Sequence, residues 1–117
     1  MNKMAKVKII KSLALEIKKK FSKIEANKII DLLYTLEDNP HKGKLLTNVA
    51  GIVIKELKYK NFRFYFITDG HKLKVLSKEE LTALLLKFVR MSDKKSQQKV
   101  INEIRKVLLL IGKEGFD

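Results

Sequence analysis

The chain uses lysine for nearly all of its positive charge. Of 26 basic residues, only Arg63, Arg90 and Arg105 are arginine. A guanidinium is a planar fork that grips a phosphate through two parallel hydrogen bonds, whereas an ammonium acts as a point charge. The positions that carry arginine in a lysine-rich chain are therefore the first places to look for phosphate chemistry. Arg105 falls within a helical pattern and reads as an ordinary surface residue, which leaves Arg63 and Arg90. His41 and His71 each stand alone beside a turn, so they read as solvated loop histidines; a metal site needs several convergent ligands, and none is expected.

The charge balance points the same way. Asp and Glu number 13, so the net charge is +13 on 117 residues. A field of that sign on a small surface attracts polyanions. The plainer reading is that lysine covers every solvated face. Cysteine is absent, which removes disulfides and thiolate metal sites and suits a cytoplasmic protein. No apolar run near the N-terminus reaches the length of a signal peptide or membrane span, so no membrane association is expected. The length fits one domain, 1–117, with enough apolar residues for a single core.

Hydrophobic periodicity supplies the elements that must position the arginines. Lys6 to Ile10 alternates as a short strand. Leu13, Ile17, Phe21 and Ile24 then recur at helical spacing. Ser22 followed by Glu25 forms a capping box that splits this region into helices near 12–20 and 23–37, with a single bent helix as the alternative. Asp38-Asn39-Pro40 ends the helical run, and 41–48 reads as an exposed basic loop. An antiparallel meander follows: 52–59, a turn at Lys60-Asn61, 62–68, then Asp69-Gly70 as a hairpin turn into 72–76. On its second strand Phe62, Phe64 and Phe66 share one face, and Arg63, Tyr65 and Ile67 share the other. The Phe face should pack on the helices and leave Arg63 and Tyr65 on an open surface. The segment 77–91 reads as a helix by periodicity or as a strand over 82–90. A final helix from Lys94 buries Val100, Ile104, Val107, Leu108 and Ile111 and stops at Gly112.

Two strings resemble one family. IKELKYKNFRFYFITDG, with Glu56, Leu57, Lys58, Phe62 and Arg63, and LLLKFVRMSDKKSQQKVI, with Phe88, Arg90, Ser92 and Lys94, are similar to segments of the RelE/ParE superfamily, closest to its HigB and related phage branch. The Asn39-Pro40-x-x-Gly43-Lys44 loop is similar to that family's helix-to-sheet connection, so the resemblance spans roughly 14–108. It implies an α+β fold: an antiparallel sheet with two N-terminal helices on one face and a C-terminal helix. It also implies a toxin of a toxin–antitoxin pair that cuts messenger RNA on the ribosome, held silent by a cognate antitoxin, with neither metal nor small-molecule cofactor.

Attack of a ribose 2′-hydroxyl on the neighbouring phosphate needs a proton acceptor, cations for the developing charge and a donor for the leaving oxygen. The resemblance thus casts Arg63 and Arg90 as catalytic phosphate binders, with Lys55, Lys58, Lys94 and Lys95 as supporting RNA-binding cations. Tyr65 or Tyr59 would stack on a base. The chain departs from the nuclease pattern at two points: Ile54 and Glu56 stand where paired basic residues are usual, and no tyrosine follows Tyr65. A noncatalytic RNA- or protein-binding module and a ParE-like gyrase inhibitor stay open as alternatives.

Overall fold

The computed structural model describes residues 5–75 and 84–116. Its order is β1 (Lys6–Ile9), α1 (Lys11–Lys20), α2 (Lys23–Tyr34), a 3₁₀ turn (Thr35–Glu37), β2 (Lys44–Val49), β3 (Ile52–Tyr59), β4 (Phe62–Asp69), α3 (Gly70–Val75), β5 (Leu85–Asp93), α4 (Gln97–Leu110) and a closing 3₁₀ turn (Lys113–Gly115). The fold is α+β around one five-stranded sheet of order β1-β5-β4-β3-β2. β2 to β5 run antiparallel to their neighbours, but β1 joins β5 in parallel. The sheet is therefore mixed, not purely antiparallel. The connection from β1 to its parallel neighbour β5 runs through both helices and the β2–β4 meander, well beyond the length a parallel pairing requires.

Local chemistry explains the boundaries. Ser22 Oγ accepts the Glu25 N–H at 3.2 Å, so the capping residue forces the break between α1 and α2. Gly112 adopts φ 101° and its N–H reaches Val107 O at 3.1 Å, closing α4 with the left-handed residue that glycine supplies. Glu37 is buried and its carboxylate accepts the Val7 N–H at 3.0 Å, which ties the outer edge of β1 to the turn after α2.

Two expectations fail and one ambiguity resolves. The stretch 41–48 is not all loop: Lys44–Val49 forms the edge strand β2, joined to β3 by a two-residue hairpin in which both Ala50 and Gly51 have positive φ. Asp69-Gly70 does not turn a hairpin. Asp69 Oδ1 instead accepts the Lys72 N–H at 3.0 Å and starts the short α3, so 72–75 is helical; Leu76 lies outside the described residues. The strand that pairs with β4 is β5, so of the two readings of 77–91 the strand stands, shifted to Leu85–Asp93, while 77–83 lies outside the described residues.

The alternation on β4 divides the sheet into two faces. One carries Phe64, Phe66, Phe88, Leu86 and Leu57, all buried. On this face Phe62 meets Phe21 edge-on at 5.0 Å, and Tyr59 Oη donates to Glu25 Oε2 at 2.8 Å. The other face carries Ile54, Glu56, Arg63, Tyr65, Ile67 and Arg90 and is not open. Tyr65 is 0% exposed, and Ile67 and Arg63 are also buried. Contacts here run to α4 and the tail: Gln97 Nε2 donates to Glu56 Oε2 at 3.1 Å, and Lys87 Nζ donates to Phe116 O at 2.6 Å. The apolar stripe of the last helix needs a partner surface, and Phe116 of the tail, itself buried, extends that cover.

Candidate nucleic-acid interface

The register places Arg63 opposite Ser92 on β5 and Lys58 on β3; Tyr65 lies opposite Arg90 and Glu56, and Glu56 opposite Lys44 on β2. Two adjacent rows thus cross the same face: Lys44-Glu56-Tyr65-Arg90 and Lys58-Arg63-Ser92. Arg63 and Arg90 are diagonal neighbours, a relation that separates Cα atoms by about 7–8 Å. The two arginines converge on one side of the sheet.

A β-bulge makes this possible. Between Tyr65 and Phe66 the pairing skips Val89, so Phe88 lies opposite Phe66 and Arg90 opposite Tyr65. In a regular strand residues 88 and 90 would share a face. The extra residue sends Phe88 into the core, where it packs on Phe66 at 4.9 Å, and turns Arg90 to the other side.

Neither guanidinium is consumed by a carboxylate among the described residues. Arg63 Nη1 donates to Phe62 O at 3.4 Å, and Arg90 Nη1 to Val89 O at 2.7 Å, each a carbonyl of the preceding residue. Arg90 also lies over the Phe116 ring at 5.1 Å, which holds its plane against the tail. These contacts fix the stems and leave donors on both forks. Between the arginines Tyr65 Oη and Ser92 Oγ share a hydrogen bond of 2.7 Å, and Ser92 Oγ donates to Asp93 O at 2.9 Å. Burial pushes the Tyr65 phenol above the usual tyrosine range, with the Ser92 contact opposing it.

The remaining candidates divide. Lys58 is exposed beside Arg63. Lys55 is not: it stands on the opposite face, 5% exposed, with Nζ donating to His41 O at 3.0 Å and lying 5.8 Å from the Phe66 ring. Burial pushes its amine below the usual lysine range. It is an anchor for the loop after α2 and cannot join the cationic row. Tyr65, with no exposed surface, cannot stack on a base in this conformation. Tyr59 is also committed, to Glu25.

Lys94 and Lys95 sit in the turn from β5 to α4. That turn is held by Asp93 Oδ1, which accepts the Ser96 N–H at 2.8 Å, and this bond keeps the Asp93 carboxyl below the ordinary aspartate range. Both lysines line a cleft of about 570 Å³ that also takes in Thr47, Gln97 and Arg105. Sequence reasoning missed three contributors: Glu56 as the carboxylate of the cationic face, Gln97 as its partner, and Arg105 as a lining residue. Alternation along β3 marks Glu56 as sharing a face with Lys58, but only the pairing of β3 with β4 puts it beside Tyr65.

Among the described residues no helix is long and apolar enough to cross a membrane. No family model matches this sequence, and no curated protein and no solved structure matches it either.

Proposed function

We propose that this chain is an RNA-directed toxin of the RelE type, an endoribonuclease that cuts messenger on the ribosome. The observation that carries the reading is the pair of arginine forks, Arg63 and Arg90, on one face, with the Glu56 carboxylate in the same row as Arg90, across Tyr65 from it and diagonal to Arg63. In this scheme Glu56 takes the proton of a ribose 2′-hydroxyl. The 2′ oxygen attacks the adjacent phosphorus, and Arg63 and Arg90 hold the charge that builds on its oxygens. The bond to the 5′ oxygen breaks, and the Lys58 ammonium, exposed beside Arg63, protonates that leaving oxygen. The products are a 2′,3′-cyclic phosphate and a free 5′-hydroxyl, with no water consumed and no metal in the step.

Pure protein added to programmed ribosomes should cut messenger in the decoding site. Arg63→Ala should lower the rate by about 10²–10³-fold, the usual consequence of removing one preorganised charge-stabilising group. Glu56→Gln should be similarly slow while binding is kept. Uncut messenger with wild-type protein defeats the nuclease reading. One observation favours a second outcome: the Glu56 carboxylate is engaged by Gln97 and the Tyr65 phenol by Ser92, so the face is internally satisfied and suited to binding alone. In that case RNA stays whole and binding falls steeply with salt.

A further inference from the structure

The cleft of about 570 Å³ beside α4 is within the size of ligand clefts, which run from roughly 300 to 1,000 Å³. One wall is α4, where Gln98, Ile101 and Arg105 are spaced i, i+3 and i+7 and so share a stripe. The other wall is the edge strand β2. There the register skips Leu46 between Leu45 and Thr47, and the bulge turns Leu46 and Thr47 toward the cleft. Leu46 and Ile101 give it an apolar floor. Lys94, Lys95 and Arg105 give it three cations, none ion-paired among the described residues, and the first turn of α4 carries no acidic residue.

The cleft adjoins the sheet face described above through Gln97. Gln97 lines it and also donates to Glu56 at 3.1 Å, so one side chain borders both. A polymer with a phosphate at Arg63 and Arg90 would pass Gln97 and enter between β2 and α4. Regularly spaced negative charge on a flexible backbone, with apolar rings beside it, matches three separated cations over a small apolar floor. A folded acidic partner would demand a broader surface than this cleft presents.

We propose that the α4–β2 cleft is a second RNA subsite, in which Arg105 grips a backbone phosphate of the single strand leaving the Arg63–Arg90 centre, with Lys94 and Lys95 flanking it. The proposal rests on the RNA reading of that centre. It makes Arg105 a residue that sets how long a strand the protein holds, and not an ordinary surface cation.

The test is binding of single-stranded oligouridylates of two lengths, about four and about ten nucleotides, within the range of single-strand binding sites. Wild-type protein should bind the longer strand more tightly. Arg105→Gln should weaken the longer strand by about tenfold, reduce its salt slope by about 0.7 as one phosphate contact is lost, and leave the shorter strand unchanged. Lys94→Gln with Lys95→Gln gives the same pattern from outside the helix, so a folding fault in one variant does not decide the matter. Equal binding of the longer strand by wild type and Arg105→Gln overturns the subsite while the centre stands. If neither length binds wild-type protein, the RNA reading itself has failed, and the subsite with it. If polyglutamate binds wild type but not Arg105→Gln, and the longer strand binds both alike, the cleft belongs to an acidic protein segment and the proposal is overturned.

Discussion

Tyr65→Phe separates the structural from the ligand-binding reading of the most buried polar group on the cationic face. Ser92 has one hydroxyl hydrogen and directs it to Asp93 O at 2.9 Å, so in the 2.7 Å contact the Tyr65 phenol is the donor. Removing that phenol deletes one buried neutral hydrogen bond, worth about 0.5–1.5 kcal/mol, and leaves a lone pair on Ser92 without its donor. The ring stays and no cavity opens, so the penalty of about 3–5 kcal/mol for losing an aromatic side chain does not apply. A loss near 1 kcal/mol lowers the melting temperature of a domain of this size by about 4 °C. The pH dependence has a definite sign. Burial raises the folded-state phenol above its unfolded value, so above pH about 10 the unfolded chain releases this proton first and stability falls; Tyr65→Phe removes that part of the fall. Urea midpoints across pH measure both effects, and oligonucleotide binding measures the third. Because Tyr65 has no exposed surface, affinity for RNA should not change. A tenfold loss of affinity at unchanged stability would refute the argument, since it would require a ring or hydroxyl that the ligand can reach.

Lys55→Met should leave RNA binding intact and flatten the pH dependence of stability on the alkaline side. The buried amine has a folded-state value below its unfolded one, so stability rises as pH climbs through the folded value toward about 10.4, and the variant lacks that rise. An unchanged alkaline profile would show that the amine is solvated. Gly43→Ala should cost about 1–3 kcal/mol, because φ is +102° and a Cβ would stand 3.0 Å from Glu56 O and 3.1 Å from the Phe66 ring. An unshifted denaturation midpoint would mean that the loop relaxes freely.

Several features were legible from residue order alone because they depend on neighbours in the chain. The capping Ser22, most of the helical stripes of α1, α2 and α4, the turn at Lys60-Asn61 and the Gly112 stop are set within a few residues by local hydrogen bonds and backbone freedom; Ile24 and Ile111, expected in those stripes, are exposed, and α4 buries Ile101 instead. The alternation that sets Arg63 and Tyr65 apart from Phe62, Phe64 and Phe66 belongs with them. Lys44–Val49 was not legible. Its edge position gives it an irregular, partly polar pattern, and only pairing with β3 makes it a strand. Asp69-Gly70 carries the signal of a hairpin, yet the same carboxylate serves equally as a helix cap, here accepting the Lys72 N–H, and a Cβ at Gly70 would lie 2.8 Å from Val53.

What the order of residues determined by itself was a basic α+β chain, one face of β4 rich in phenylalanine and the other bearing Arg63. Tertiary structure decided whether that second face meets water, because the cover comes from α4 and Phe116, far along the chain. It also decided where Arg90 points. Residues 88 and 90 share a face in any regular strand, and a single bulged residue, Val89, reverses that phase and brings the second guanidinium beside the first. A bulge is stabilised by what packs on each side of it, here Phe88 against Phe66 and Arg90 against Phe116, so residue order could not announce it.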